Sequence, residues 1–201
     1  FRLKETGSID RPVLCDDPHC FAELPNQLLG VWSDVARMSF RRVAHAAAVV
    51  DCKIYVIGGN DGHNSDDGYY DDAQDLDSVE VYDPQADSWQ QVASMPQARR
   101  AHAAVTMAGK IYVSGGTMDG SSTDTVVVFD PQADTWTESA NMSQPRQRHA
   151  SAAIGGKLYV FGGYSDDGRT ASVEAFDPTS NTWTHVSELS DVRDAIAAVA
   201  F

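Results

Sequence analysis

Short apolar segments recur along the chain, and Gly, Pro or Asp residues separate them. In the first clear unit, residues 44–50 are small and apolar, residues 53–57 and 79–82 are rich in β-branched and aromatic side chains, and a fourth segment carries Trp89. Segments of this length and composition are typical of β-strands. No segment shows a helical period. The pattern predicts an all-β chain built from units of four short antiparallel strands.

This unit repeats at fixed offsets. Trp89, Trp136 and Trp183 are 47 residues apart, whereas Trp32 precedes Trp89 by 57. The ten additional residues lie within residues 60–77. Each second segment ends in a glycine pair, and an aromatic residue followed by Asp-Pro stands before each of the last three Trp: Gly58-Gly59, Gly115-Gly116 and Gly162-Gly163, then Tyr82, Phe129 and Phe176. Repeated four-stranded sheets predict propeller blades, because one such sheet cannot cover its own faces.

The first segment of each unit is unusually rich in alanine, for example at residues 44–48, 101–104 and 150–153. Alanine is a poor strand former on an open sheet. We therefore expect these segments to lie innermost, where several blades crowd a narrow axis.

The glycine pairs, the Asp-Pro turns and the spaced Trp resemble the Kelch repeat, and the resemblance covers residues 31–201. It implies a fragment of a Kelch-type β-propeller with four-stranded antiparallel blades. Complete units are expected at about 42–92, 99–139 and 146–186, with partial blades at 31–37 and 193–201. Residues 1–30 are expected to be a poorly defined segment or a degenerate blade. Kelch propellers usually have five to seven blades, so further blades or self-association are expected to cover the open edges.

Charge and composition narrow the partners. The net charge is −14, which argues against general binding to nucleic acid or to anionic membranes. No apolar run approaches the ~20 residues of a membrane helix. The three cysteines are an odd, low number, which points away from a disulfide framework and toward a reducing compartment. A cytoplasmic location is expected.

Residues that recur in every blade are predicted to serve blade geometry. They are the glycine pairs, the three aromatics and the three Trp named above, together with His45, His102 and His149. A metal site built from these histidines is the less favoured alternative, and we expect no metal and no cofactor.

Function is expected where the blades differ, in the loops. The family resemblance implies that the loops between second and third strands share one face with the linkers between blades, and that this face receives a protein or peptide. The predicted partner-binding residues are Arg42, Arg99, Arg100, Arg146, Arg148, Asp61, Asp66, Asp67, Tyr69, Tyr70, Asp166, Asp167 and Arg169. Arg42, Arg99, Arg146 and Arg193 recur in register, so a structural role is an open alternative to carboxylate recognition for them.

The long loop and the N-terminal segment leave further alternatives. Residues 60–77 contain seven Asp and no Lys or Arg, which is compatible with a solvated loop, a lip that selects a basic partner, or a calcium site. Cys15, His19 and Cys20 contain zinc-ligand residue types but lack a second cysteine pair, so a disordered tail is favoured.

The expected function is therefore a protein interaction module and not an enzyme. The resemblance implies two contexts, the substrate-recognition part of a cullin-type ubiquitin ligase adaptor and an actin-binding protein. A propeller enzyme acting on a sugar or small molecule, similar to galactose oxidase or sialate mutarotases, is the alternative. No catalytic motif for acyl or phosphoryl transfer stands in the sequence.

Overall fold

The computed structural model describes residues 34–62 and 73–198. Within them the chain forms three antiparallel four-stranded sheets and no helix. The strands of blade 1 are β1 (Ala46–Val50), β2 (Lys53–Ile57), β3 (Val79–Asp83) and β4 (Ser88–Val92). Those of blade 2 are β5 (Ala103–Met107), β6 (Lys110–Ser114), β9 (Val126–Asp130) and β10 (Thr135–Glu138). Those of blade 3 are β11 (Ala150–Ile154), β12 (Lys157–Phe161), β15 (Ser172–Asp177) and β16 (Thr182–Glu188).

Each blade is a meander in which consecutive strands pair. The second-to-third loops of blades 2 and 3 contain two-stranded ribbons, β7 (Thr117–Met118) with β8 (Ser121–Ser122) and β13 (Tyr164–Ser165) with β14 (Gly168–Arg169). The prediction of an all-β chain of four-stranded blades is confirmed.

The alanine-rich strands β1, β5 and β11 lie side by side at the centre, as the sequence predicts. Thr106 Oγ1 on β5 donates to the Val49 carbonyl on β1 at 2.7 Å. The inner strands line a cavity of about 430 Å³ whose walls are small residues: Ala47, Ala48, Val49, Ala104, Val105, Thr106, Ser151, Ala152, Ala153 and Ala198. Small side chains allow three strands to converge there.

The hydrophobic core lies between the blades. Tyr55 and Val81 of blade 1 share a cluster with Ile111 and Phe129 of blade 2, and Tyr112 of blade 2 packs with Phe176 of blade 3. On strand β2, Ile54 keeps 37% of its surface exposed, whereas its equivalent Ile111 is fully buried. Burial of the sheet faces therefore depends on the neighbouring blade.

A backbone clamp joins consecutive blades. Trp136 Nε1 donates to the Ala93 carbonyl at 2.8 Å, and Asp134 Oδ1 accepts from the Ala93 amide at 2.8 Å. Trp89 with Asp87 holds Ala36 in the same way, and Trp183 with Asn181 holds Ala140. Each Trp side chain thus donates a hydrogen bond to a backbone carbonyl of the segment that precedes its own blade.

The glycine pairs are required by close backbone approach. Gly115 has φ +59°, and a Cβ built on it would lie 2.3 Å from the carbonyl oxygen of Arg146. Gly116 then donates from its amide to that carbonyl at 2.9 Å. A side chain would separate the blade from its linker.

Candidate functional site

The linkers and the second-to-third loops meet on one face of the structure. Isolated antiparallel bridges join each linker to the start of the next loop: Val43 with Asn60, Arg100 with Thr117, and Gln147 with Tyr164. We call this surface the loop face. It comprises the described parts of the loops 60–77, 117–125 and 164–171 and of the linkers 39–44, 96–101, 143–148 and 190–195.

Three equivalent side-chain pairs tie a loop to the linker that follows it. The loop members are 47 residues apart, and so are the linker members: Asp75 with Arg100, Ser122 with Gln147, and Arg169 with Asp194. Arg100 Nη1 lies 2.6 and 2.7 Å from the two carboxylate oxygens of Asp75. Gln147 Nε2 donates to Ser122 Oγ at 3.1 Å. Arg169 Nε donates to Asp194 Oδ1 at 2.5 Å. In blade 1 the loop residue is the acid and the linker residue is the base. In blade 2 both residues are neutral, and in blade 3 the loop residue is the base and the linker residue is the acid.

Arg148 is the residue that departs most from the repeat on this face. Its backbone has φ 52°, and the equivalent positions Ala44, Ala101 and Ala195 have φ between 53° and 54°. The four residues also form a ladder of backbone hydrogen bonds between linkers, each 2.8 Å long. The Arg148 side chain is 59% exposed and approaches Asp194 only to 4.0 Å. An alanine satisfies this backbone in the other blades, so the fold does not require a guanidinium here.

Arg148 and Arg169 converge on one carboxylate. Asp194 lies 4.0 Å from Arg148 Nη1 and 2.5 Å from Arg169 Nε, and its own side chain is only 15% exposed. Both arginine side chains remain 59% exposed. Because Asp194 uses few of their N–H donors, the two arginines present the others to solvent.

The loop of blade 3 contributes acidic and aromatic groups. Asp166 Oδ1 accepts hydrogen bonds from the Ser122 amide and hydroxyl at 3.3 and 3.1 Å, so this exposed carboxylate bridges two loops. The amide of Asp167 donates to Ser165 Oγ at 3.3 Å, and its side chain is exposed. Tyr164 is 39% exposed on the same ribbon.

Of the predicted acidic lip, Asp61, Asp75 and Asp77 lie within the described residues. The Asp61 carboxylate accepts from the Gln74 amide at 3.1 Å and closes the base of the long loop. The predicted residues Asp66, Asp67, Tyr69 and Tyr70 lie outside the described residues, as do Cys15, His19 and Cys20. Their proposed roles stay predictions.

Arg42, Arg99 and Arg146 do not reach the partner-accessible surface. They are 8%, 0% and 0% exposed, and each guanidinium group enters the blade that follows its linker. Arg146 Nη1 donates to the Gly162 carbonyl at 2.7 Å; Arg42 and Arg99 make the equivalent bonds to Gly58 and Gly115 at 2.9 and 3.1 Å. The assignment of these three arginines to partner binding is corrected, because their donors are turned into the blade and buried.

We call the buried surroundings of each of these three guanidinium groups its socket. Two of the three sockets contain a buried carboxylate. Arg42 Nη2 lies 3.0 Å from Glu80, and Arg146 Nη2 pairs with Glu174; all four side chains are fully buried. The second carboxylate oxygen accepts from a linker amide, that of Ser39 at 2.7 Å or Ser143 at 2.9 Å. Burial alone would raise the pKa of Glu80, but the hydrogen bonds from Ser39 and Arg42 outweigh it and lower the pKa.

The socket of blade 2 is built differently. Val127 stands where the other blades have Glu, and Pro96 stands where the other linkers have Ser. The acceptor and the N–H donor are thus missing together, since proline has no amide hydrogen. Burial lowers the pKa of Arg99 to about 10, and its Nε has no hydrogen-bond partner among the described residues.

Two of the in-register histidines, His102 and His149, are packing residues of the interior, whereas His45 is exposed. His149 Nε2 lies 2.9 Å from Ser114 Oγ. Neither ring nitrogen of His102 has a partner in good hydrogen-bond geometry within the described part of the chain. Burial, and secondarily the neighbouring arginine, lowers the pKa of each of these two histidines to about 3, so both are neutral at pH 7.

The odd, low number of cysteines pointed away from a disulfide framework, but Cys52, in the turn between β1 and β2, is disulfide-bonded. Cysteine usage therefore does not support a reducing compartment.

Sequence reasoning missed the carboxylates that neutralise Arg42 and Arg146, and it missed the loop-to-linker pairs. The signal for the first was present, since Glu80 and Glu174 interrupt otherwise apolar third strands. The second had no such signal: the common offset of 47 residues makes positions 75, 122 and 169 equivalent, and likewise positions 100, 147 and 194, but it does not show that the two sets pair.

Residues 34–62 and 73–198 contain no group of three His, Cys, Asp or Glu side chains arranged to hold a metal ion. No helix in the same residues is long and apolar enough to cross a bilayer.

Comparison with known proteins agrees with the architecture. A family model described as the KLHDC2/KLHL20/DRC7 Kelch-repeats domain matches residues 44–199. The solved structure of YjhT superposes with a TM-score of 0.69 at 21% identity, covering 82% of this chain and 57% of that one. That likeness shows a shared fold.

Two curated relatives match shorter stretches. Kelch-like protein 33 of Homo sapiens is 35% identical over 85 residues, which are 42% of this chain and 14% of that protein. F-box/kelch-repeat protein At1g22040 of Arabidopsis thaliana is 38% identical over 69 residues, which are 34% of this chain and 13% of that protein. The matched part is thus a small share of each relative's length.

Proposed function

The chain belongs to the Kelch-repeat family, and from this premise we propose that its loop face binds a protein or a peptide. The observation that carries the proposal is the exposed side chain of Arg148 at a position where the repeat otherwise uses alanine. The backbone at this position does not need an arginine, and the position lies on the face where the blades differ most. The Arg148 side chain is therefore better explained by partner binding than by a role in folding.

The chemistry of this surface favours a partner with acidic side chains at one end. Arg148 and Arg169 share Asp194 and keep donors for a second carboxylate. Two arginines that flank one carboxylate suit charge-assisted hydrogen bonds to another one. Arg100 is more engaged, because Asp75 holds it from the neighbouring loop.

The opposite end of the face carries the acidic residues. Asp61, Asp75 and Asp77 are described there, and the sequence adds four further Asp within residues 66–72. Asp166 and Asp167 lie in the turn between β13 and β14, beside Arg169, so the arginine end of the face also carries negative charge. A partner of mixed charge, with its acidic part over Arg148 and Arg169, would complement this distribution.

The central cavity does not favour the enzyme alternative. Its described lining consists of Ala, Val, Ser and Thr side chains, and it contains no group that could act as an acid, a base or a metal ligand. We therefore propose binding without catalysis.

The proposal extends to the cellular context of this binding. One relative's name pairs kelch repeats with an F-box, which supports a substrate-recognition role in a cullin-type ubiquitin ligase. An actin-binding role rests on the family resemblance alone. A cytoplasmic location is proposed on the same basis, without the argument from cysteines.

The test compares partner capture by three single variants. Proteins bound to the immobilised chain are quantified for the natural sequence, Arg148→Ala, Arg169→Ala and the control Lys157→Ala. Lys157 is similarly exposed but lies on the opposite face, in an ion pair with Asp177. We expect Arg148→Ala and Arg169→Ala to lose at least about tenfold in capture, equal to ~1.4 kcal/mol, and Lys157→Ala to lose none. Equal capture by all four proteins would contradict the proposal.

Defined assays separate the finer roles. Co-sedimentation with purified F-actin tests actin binding, and co-capture of a cullin by the full reading frame tests the adaptor role. A chain that binds neither, while Arg148→Ala still abolishes capture of another protein, keeps the interaction function and excludes both contexts.

A further inference from the structure

The three buried arginines differ in what faces one edge of the guanidinium group, the edge that carries Nε and Nη2. In blade 1, Arg42 Nε and Nη2 lie 3.3 and 3.0 Å from the same carboxylate oxygen of Glu80. Arg42 Nη2 also donates to Ser78 Oγ at 2.9 Å. This edge of Arg42 therefore faces a carboxylate and a hydroxyl group inside the blade.

Blade 3 has an equivalent socket. Arg146 Nη2 pairs with Glu174 and donates to Ser172 Oγ at 3.3 Å. The arginine and glutamate side chains are fully buried in both blades. One buried positive charge is thus balanced by one buried negative charge in each of the two sockets.

Blade 2 lacks both acceptors for this edge. Val127 stands in place of the glutamate, and Thr125 stands in place of the serine. The Thr125 hydroxyl lies 3.0 Å from Thr123 Oγ1. Within the described residues the Arg99 side chain donates only from Nη1, to the carbonyls of Gly115 and Thr125 at 3.1 and 3.5 Å.

The guanidinium group of Arg99 has the same orientation as that of Arg146. Arg146 Nη1 donates to the Gly162 and Ser172 carbonyls, which are the equivalents of the two carbonyls that Arg99 Nη1 contacts. The Nε–Nη2 edge of Arg99 therefore points to the place that a carboxylate takes in blades 1 and 3.

The positive charge of Arg99 remains in the interior at neutral pH. The side chain is fully buried, and burial lowers its pKa only to about 10, so the guanidinium group stays protonated at pH 7. No carboxylate among residues 34–62 and 73–198 pairs with it. An unpaired buried charge is much less favourable than a paired one. An anion from solution on the Nε–Nη2 edge would give this socket the charge balance that the other two have.

We propose that the socket of blade 2 binds a small monovalent anion, such as chloride, on the Nε–Nη2 edge of Arg99. A single negative charge neutralises the guanidinium group as Glu80 and Glu174 do, whereas a dianion would leave an unpaired buried charge. A spherical halide also needs no second N–H donor from the linker, which agrees with Pro96 at the position of Ser39 and Ser143.

Water is the other molecule that can accept hydrogen bonds from this edge. Water and chloride differ in charge and in concentration dependence. Only an anion makes the stability of the chain rise with the concentration of that anion.

The test measures the equilibrium constant for folding by urea unfolding while potassium chloride replaces potassium gluconate at constant ionic strength. Gluconate has the same charge as chloride but is much larger. The natural chain is compared with Arg99→Met and with the double variant Val127→Glu, Pro96→Ser. The double variant places a carboxylate and a linker N–H donor at the positions that they have in blades 1 and 3.

We expect chloride to raise the folding equilibrium constant of the natural chain at least about threefold, which is the effect of a chloride concentration twice the dissociation constant. Neither variant should respond, because one lacks the guanidinium group and the other has a carboxylate of its own. A response of equal size in all three proteins is a general salt effect and overturns the proposal. No response in the natural chain also overturns it and assigns the socket to water.

Bromide provides a second measurement that needs no variant. Crystals of the natural chain grown in potassium bromide should show an anomalous scattering peak within hydrogen-bonding distance of Arg99 Nε and Nη2, and none beside Arg42 or Arg146. Without a peak beside Arg99, or with equal peaks beside all three arginines, the anion site is refuted.

Discussion

The two buried arginines Arg99 and Arg146 offer a direct measurement of what a carboxylate contributes inside a blade joint. Both guanidinium groups are fully buried and both donate to a glycine carbonyl. Only Arg146 has an acidic partner, Glu174. We predict that Arg146→Met is strongly destabilising and that Arg99→Met is close to neutral.

The magnitudes follow from the groups left behind. Without Arg146, the buried carboxylate of Glu174 keeps only the Ser143 amide, and breaking a buried pair in this way costs about 3–5 kcal/mol. For Arg99, burial lowers the pKa from 12.5 to about 10, which corresponds to roughly 3 kcal/mol of unfavourable charge burial at pH 7. Methionine removes that penalty, but it also removes hydrogen bonds to the Gly115 and Thr125 carbonyls, worth about 1 kcal/mol each. The net change for Arg99→Met is within about 1 kcal/mol of zero.

Urea unfolding followed by tryptophan fluorescence measures both free energies of unfolding. The control is Arg41→Met, which removes an exposed positive charge from a neighbouring linker position. A loss in Arg99→Met equal to that in Arg146→Met would refute the reasoning, because the carboxylate would then not be the source of the difference.

A double-mutant cycle examines the same joint from the other side. Val127→Glu should be tolerated when Arg99 is present and should cost about 3 kcal/mol or more in the Arg99→Met background. Adding Pro96→Ser should stabilise the Val127→Glu protein, since it restores the missing N–H donor. No coupling between positions 99 and 127 would contradict the proposed geometry.

The remaining predictions concern pH, glycine and the Trp clamp. His102 and His149 have folded-state pKa values of about 3 against 6.5 when unfolded, so the unfolded state binds more protons below pH 6.5. Lowering the pH from 7 to 5 should cost about 2 kcal/mol for each, and His102→Phe should halve the pH dependence of the urea midpoint. Gly115→Ala should destabilise by about 3 kcal/mol or more, whereas Gly155→Ala, which has φ +58° and open space around it, should lose only about 1 kcal/mol. Trp136→Phe should lose about 1–3 kcal/mol, because its hydrogen bond to the preceding blade disappears with part of the packing; thermal midpoints of the folded variants check both changes.

The blade architecture was predictable because it depends on residue types that recur at fixed spacing. Trp, the glycine pairs and the alanine-rich strands each have one physical role that every unit repeats. The arginines show where such reasoning stops. A repeated arginine before each blade is compatible both with a surface that binds carboxylates and with an interior socket, and the choice depends on whether a carboxylate lies on the third strand.

The loop face was only partly predictable for a related reason. Arg148 and Arg169 could be chosen from the sequence because they differ from the repeat. The groups that position them could not, since Asp194 is distant from Arg148 in sequence and becomes its neighbour only when blade 3 is formed. Long-range pairing of this kind carries no local sequence signal.

The reversed polarity of the loop-to-linker pairs also limits how this protein could have changed by recombination. Asp75 with Arg100 and Arg169 with Asp194 are each attractive, but exchanging the linker partners would set Asp75 against Asp194 and Arg169 against Arg100. A gene duplication or deletion that begins inside a blade, between its loop and its linker, would therefore create like-charge contacts, whereas one that moves a whole loop–linker module would preserve the match. The segment that recombination can move without a charge conflict thus runs from one loop through the following linker. This segment does not coincide with a single sheet.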